Sequence, residues 1–129
     1  MQKVSTMKMV DPVQGKDIDM VELLARVEND RELLNEIFDI YKTEFPQLFL
    51  LLTEALERSD MRELRIRAHT VKGMLESLTF QKASASAWAI ERMAEGSLPD
   101  DIPAELERLR IRAATAEDGL DQACKQAML

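Results

Sequence analysis

The sequence predicts an all-α protein, an antiparallel four-helix bundle with a short extra helix at its N-terminal end. Good helix formers, chiefly Ala, Leu, Glu, Arg and Met, dominate the 129 residues, whereas only four residues are Gly and four are Pro. Apolar side chains recur three and four residues apart, and no stretch stands out with the period of two that marks a strand. A chain of this length suits one domain that buries its own core.

The chain begins with a segment that carries no helical pattern. Residues 1–16 are interpreted as a flexible N-terminal arm or linker, and the bundle is expected to occupy residues 17–129. A short helix over Met20–Val27 follows the arm, with Asp17 or Asp19 as its N-cap.

A capping box predicts the start of the first long helix. Asn29 is suited to the N-cap position, and Glu32 stands three residues later. An apolar-rich segment then extends to about Leu56. Pro46 lies inside this segment. Because proline lacks a backbone donor and clashes with the preceding turn, a kink or local break is expected near Phe45.

Two further helices are predicted in the middle of the chain. Asp60 and Glu63 form a second capping box, which opens a helix that should run to about Leu78. Thr79 is expected to cap the next helix, Phe80–Glu95, whose many Ala and Ser residues allow close packing against a neighbour.

The last helix follows a turn from Pro99 to Pro103 and carries a sustained apolar seam. Its apolar residues alternate between spacings of three and four, as in bundles and coiled coils. We interpret the seam as core, with a dimer interface as the alternative. The members are Leu106, Leu109, Ala113, Ala116, Leu120, Ala123 and Ala127.

Composition argues against several classes of function. A net charge of −7 argues against a general nucleic-acid binder, which needs a basic face, and against direct contact with an anionic membrane surface. The single cysteine, Cys124, excludes an internal disulfide and is consistent with a reducing compartment. One Cys and one His do not make a Cys/His metal site, and no Gly-rich phosphate loop indicates an ATP site.

His69 is the only histidine in the chain, and imidazole is the side chain best suited to nucleophilic chemistry near neutral pH. It lies about 120° from the centre of its helix's apolar stripe and should therefore face water. Gly73 follows one turn later on the same side, although Gly in a helix interior costs roughly 1 kcal/mol relative to Ala. This suggests that a partner approaches the backbone closely there. The stripe comprises Met61, Leu64, Ala68, Val71, Leu75 and Leu78.

The hexapeptide Ala68-His69-Thr70-Val71-Lys72-Gly73 resembles the signature of histidine-containing phosphotransfer (HPt) domains, in which the His is followed by any residue, an aliphatic residue, Lys and Gly. The resemblance extends to a preceding segment with Phe38 and Phe45-Pro46, and to an Ala-rich helix ending near Ile90-Glu91. It implies a four-helix bundle that carries a phosphoryl group on an exposed histidine. Such domains exchange that group with the aspartate of a receiver domain in two-component phosphorelays.

The resemblance also implies roles for individual residues. His69 would be phosphorylated, Lys72 would lie near the phosphoryl group, and Gly73 would keep the surface open for the receiver. The alternative for Lys72 is an ordinary solvated lysine. Helical spacing adds Arg65, one turn before His69, as a second cation for the phosphoryl oxygens, with an ordinary surface charge as the alternative. Arg62 lies on the same side and would favour an anionic ligand.

The chain departs from the family pattern at three consecutive positions, Met74, Leu75 and Glu76, where members usually have small residues. Thr79 stands where they usually have Gly. Glu76 projects from nearly the same side as His69, two turns later. Its carboxylate would repel a phosphoryl group, pair with a basic residue or confer partner selectivity. We call the outward set Arg62, Arg65, His69, Gly73 and Glu76 the His69 face.

Partners and location follow from the same resemblance. Response-regulator receiver domains are expected, either free or in a hybrid sensor kinase. The receiver would supply Mg²⁺ and most catalytic groups, so this chain is expected to bind no cofactor. A cytoplasmic location is expected, alone or as the cytoplasmic part of a larger membrane-bound kinase.

Other functions remain open at this point. A degenerate HPt-like bundle would bind receivers without accepting phosphate, and a structural or dimerisation module would use the seam of the last helix. An enzyme with its own substrate pocket is disfavoured, because the sequence contains no convergent set of polar residues beyond the His69 motif.

Overall fold

The computed structural model describes residues 15–96 and 99–127, in which five α-helices and one 3₁₀ turn account for the regular structure. No described residue lies in a β-strand, which confirms the predicted fold class. α2 packs against α3, α3 against α4 and α4 against α5, and α5 also contacts α2, so four long helices enclose one core. The helices are α1 (Met20–Arg26), α2 (Arg31–Glu57), α3 (Met61–Ser77), α4 (Gln81–Glu95) and α5 (Ile102–Ala127), with the 3₁₀ turn at Pro99–Asp101.

The predicted N-terminal arm falls mainly on residues 1–14, which lie outside the described residues. Lys16 is described and contacts the start of α4. Its backbone N–H donates to Gln81 Oε1 (2.8 Å), and its carbonyl accepts from the N–H of Lys82 (3.1 Å). The segment before α1 is therefore hydrogen-bonded to the bundle at this residue.

Aspartate side chains cap the first three helices. Asp19 and Asp60 each accept a hydrogen bond from the backbone N–H three residues later, as predicted for α1 and α3 (3.1 and 3.0 Å). For α2 the predicted cap was wrong by one residue, since Asp30 rather than Asn29 accepts from the N–H of Leu33 (3.0 Å). Asn29 instead adopts φ = 61°, a left-handed conformation that Asn tolerates better than most residues.

Of the kink or local break predicted near Phe45, the break is absent, because α2 is continuous from Arg31 to Glu57. Pro46 is exposed, so the Lys42 carbonyl that loses its helical donor lies on the solvent side, where water can satisfy it. Buried Phe45 packs beside the ring of Phe49, with ring centroids 6.0 Å apart. We attribute the continuity of the helix to this packing on its inner side.

The prediction that Thr79 caps α4 was wrong. Phe80 occupies the N-cap and makes no side-chain capping bond. Buried Thr79 adopts φ = 60°, which is uncommon for a β-branched residue and which Gly adopts without strain. Its hydroxyl accepts from the N–H of Asp19 (3.0 Å) and donates to the Asp19 carbonyl (3.1 Å). Thr79 therefore attaches α1 to the α3–α4 turn.

The apolar stripe of α3 and the seam of α5 both face the core. Along α3 the predicted stripe is buried apart from Met61, which is partly exposed. Along α5 the seam is buried from Leu106 to Leu120, Ala123 is half-buried, and the side chain of Ala127 lies outside the described set. The predicted core role of the seam is confirmed for these buried residues. None of the described helices is both long enough and apolar enough to cross a membrane.

Candidate functional site

His69 lies on the solvent side of α3, as the stripe geometry predicted. Its side chain is 66% exposed, whereas its neighbour Ala68 is completely buried. Val71, two residues after His69, is also completely buried and anchors the turn of helix that presents the imidazole. The ring is thus held by a rigid helix and remains open to a partner.

Glu91 of α4 fixes the orientation of the imidazole. The Nδ1 atom of His69 is 3.1 Å from Glu91 Oε2, and the Glu91 side chain is only 16% exposed. An ionised carboxylate only accepts hydrogen bonds, so Nδ1 carries the proton in this pair. In the neutral ring the lone pair therefore resides on Nε2, which has no hydrogen-bond partner among the described residues. This arrangement prepares Nε2 as a nucleophile.

Lys72 shares the same carboxylate. Its Nζ lies 3.7 Å from Glu91 Oε1, an oxygen that is buried and has no hydrogen-bond partner among the described residues. This separation gives ionic attraction but exceeds hydrogen-bond length. The Lys72 ammonium therefore lies one turn from His69 without a strong bond to hold it, so it can move to a phosphoryl oxygen.

The other predicted site residues lie where helical spacing placed them. Arg62 is exposed and Arg65 is half-buried, and neither makes a hydrogen bond or ion pair with another described residue. Glu76 is exposed, and its carboxylate likewise has no partner in the described part of the chain. Its backbone carbonyl accepts a hydrogen bond from Arg26 Nη1 (2.7 Å). Within the described residues, α3 thus carries two cations before His69 and one anion after it that form no ion pair.

Gly73 has no structural partner that would require a glycine. A Cβ built at this position meets no atom within 4 Å outside its own helix. The residue is exposed and has an ordinary helical conformation. The described part of the domain would therefore accept Ala here, as expected if a partner rather than the domain itself approaches the backbone at Gly73.

We expect Gly73→Ala to stabilise the isolated domain by about 1 kcal/mol, because Ala is the better helix former. The same change should slow phosphoryl transfer about tenfold, the effect of roughly 1.4 kcal/mol of steric overlap at a close contact. Urea unfolding and transfer rates measure the two effects.

Gly119→Ala in α5 is the matched control, because a Cβ there would make an ordinary contact of 3.5 Å with Ile18 Cγ2. It should stabilise the domain without slowing transfer. Equal transfer rates for the two variants would show that Gly73 does not lie in the surface that contacts the receiver.

Sequence reasoning gave no role to Glu91. The one available signal was a carboxylate at the edge of the buried stripe of α4, beside Ala87, Ile90 and Ala94. That pattern shows that Glu91 borders a neighbouring helix, but not which residue it meets. The register between α3 and α4, which brings Glu91 to His69, depends on packing between the two helices.

We expect Glu91→Ala to slow phosphoryl transfer about 10- to 100-fold, the scale found for groups that orient metal-bound histidines. Glu91→Gln should be faster than Glu91→Ala but slower than wild type, because its side-chain oxygen still accepts from Nδ1–H but carries no negative charge to stabilise the phosphorylated ring. Transfer kinetics and the ¹⁵N shifts of the imidazole provide the test. An unchanged tautomer and rate in Glu91→Ala would contradict the orienting role.

No group of three or more His, Cys, Asp and Glu side chains in the described residues is arranged to hold a metal ion. The polar groups that converge on the site are His69, Lys72 and Glu91, with the His69 face around them. They supply a nucleophile, a cation and an orienting carboxylate.

Comparison with known proteins adds a family and a fold. The Hpt domain family model matches residues 36–126. The crystal structure of histidine-containing phosphotransfer protein B (HptB) from Pseudomonas aeruginosa PAO1 superposes with a TM-score of 0.79 at 18% sequence identity, covering 88% of this chain and 98% of that one. No curated protein matches the chain significantly. At this identity the structural likeness supports the helical-bundle fold alone.

Proposed function

Because this chain belongs to the Hpt domain family of histidine phosphotransfer domains, we propose that it is a phosphorelay carrier whose phosphoryl acceptor is His69. The group would come from the aspartyl phosphate of one receiver domain, free or within a hybrid sensor kinase, and pass to the aspartate of another. One observation carries the proposal: exposed His69 has Nδ1 occupied by Glu91 at 3.1 Å, while Nε2 has no hydrogen-bond partner among the described residues.

The transfer step follows from this geometry. The Nε2 lone pair attacks phosphorus in line, a P–N bond forms, and the P–O bond to the receiver's carboxylate breaks. The carboxylate leaves with the bonding electron pair. Since Nδ1 keeps its proton, the phosphorylated ring becomes positively charged, and Glu91 stabilises that charge across the same hydrogen bond.

The return step uses the same charge distribution. A positively charged ring is a good leaving group, so the phosphoryl group is easily passed to a second aspartate. Lys72, 3.7 Å from Glu91, would turn toward the phosphoryl oxygens and offset their charge. Mg²⁺ bound in the receiver would neutralise the remaining phosphoryl charge. This chain contributes the nucleophile, its orientation and one cation.

The experiment is incubation of the purified chain with receiver domains from the same genome that carry a radioactive phosphoryl group. We expect the label to move to this chain and to be acid-labile but stable to base, as is typical of phosphohistidine. Receivers that bind without transferring label would favour a receiver-binding module. If no receiver binds and no label is transferred, a structural helical bundle would describe the protein better.

A further inference from the structure

Charges on the His69 face follow a definite order. Arg62 stands seven residues before His69, and Glu76 stands seven residues after it. Seven residues are close to two helical turns, so the three side chains lie within about 20° of one line along α3. Each charge is about 10 Å from His69 along the axis. A partner over His69 therefore meets positive charge on one side and negative charge on the other.

The charged side chains of Arg62 and Glu76 form no ion pairs within the described structure. Arg67 and Glu63, which lie at the side of the same helix, form an ion pair with each other. The side chains of Arg62 and Glu76, by contrast, make no ion pair with a described residue. Arg26, whose guanidinium reaches the Glu76 backbone carbonyl, is paired with the Glu22 carboxylate (3.0 Å). The charges along the face therefore remain available to a partner.

Apolar side chains border the same surface. Ile66, one turn before His69, is 41% exposed, and Trp88, one turn before Glu91 on α4, is 50% exposed. Arg92 lies 5.4 Å from the centroid of the Trp88 ring. Large apolar and aromatic residues typically provide the buried centre of an interface, whereas charges at the rim set partner choice and association rate.

We propose that this charge order orients and selects the receiver. The matching receiver presents acidic side chains to Arg62 and Arg65 and a basic or uncharged side chain to Glu76. A receiver with the opposite order places like charges together and docks more slowly. The inference rests on the proposed function, because it concerns docking at the same face.

Charge reversal tests the proposal. Arg62→Glu, Glu76→Arg and the double variant are compared with wild type against a panel of phosphorylated receivers, at low salt and at about 0.3 M salt. Glu44→Arg, the same charge change at an exposed position on α2, is the matched control. Each rate is measured as kcat/KM for transfer.

We expect Glu76→Arg to change the order of preference among receivers, with several-fold gains for those whose docking surface is acidic and losses for those whose surface is basic. The changes should shrink at high salt, where charges are screened within a few ångströms. The double variant should favour receivers of the opposite charge order, and Glu44→Arg should leave the order unchanged. An unaltered order in Glu76→Arg and in the double variant would overturn the proposal.

A binding measurement separates this proposal from the proposed function. Trp88 is the only tryptophan of this chain and is 50% exposed, so a change in its fluorescence on adding a tryptophan-free receiver is used to measure binding. If wild type accepts no phosphoryl group, the proposed phosphotransfer function is wrong. The same variants still test the charge order, because receiver binding is measured separately. Affinities that follow the receiver's surface charge in wild type and reverse in the double variant support the proposal. Affinities that depend neither on receiver charge nor on the charge reversal contradict it.

Discussion

His69→Gln is expected to abolish phosphoryl acceptance and leave the fold intact. Gln offers an amide in place of a ring nitrogen with an available lone pair, and the chain has no second histidine. The side chain is 66% exposed, and surface substitutions usually change stability by no more than about 0.5 kcal/mol. Label transferred from a phosphorylated receiver should fall to background, while the circular dichroism spectrum and unfolding midpoint stay near those of wild type.

Cys124→Ser is the matched control for a second nucleophile. Burial raises the pKa of the Cys124 thiol, and the Asp121 carboxylate adds to the rise, so little reactive thiolate forms near neutral pH. The variant should accept label at the wild-type rate. Persistent label on His69→Gln would show that another residue carries the phosphoryl group. Unfolding of that variant would show that the imidazole is required for the fold.

Leu75→Ala is expected to give the largest loss of stability, about 2–5 kcal/mol in the free energy of unfolding. Leu75 is completely buried on the inner side of α3, so truncation leaves a cavity in the shared core. Urea unfolding monitored by circular dichroism measures the loss.

Ile66→Ala is the matched control, since Ile66 is an aliphatic residue of the same helix but 41% exposed. Its cost should be much smaller, because Ala is a good helix former and little buried area is lost. Equal costs for the two variants would mean that the assigned inner and outer sides of α3 are wrong.

Helical spacing was enough to predict the parts of the site that lie on one helix. The stripe through Ala68, Val71 and Leu75 defines the inner side of α3, and the outward direction of His69 follows from it without knowledge of any other helix. The Asp60 cap was predictable for the same reason, since it depends on residues three apart. Local geometry therefore gave both the start of α3 and its exposed side.

Features that depend on contacts between helices were not predictable. Glu91 meets His69 because of the packing register of α3 and α4, which spacing within either helix does not specify. Thr79 looked like a helix cap, yet its hydroxyl bonds to Asp19, 60 residues away in sequence. Pro46 suggested an interruption, but α2 remains continuous because packing outweighs the loss of one backbone bond.

We propose that Nε2 of His69 accepts the phosphoryl group because Glu91 occupies Nδ1. The most direct measurement is NMR of the isotopically labelled, phosphorylated chain, in which ³¹P and ¹⁵N signals identify the substituted nitrogen. We expect phosphorus on Nε2, a proton retained on Nδ1, and loss of both signals in His69→Gln. Phosphorus on Nδ1, or on any other residue, would contradict it.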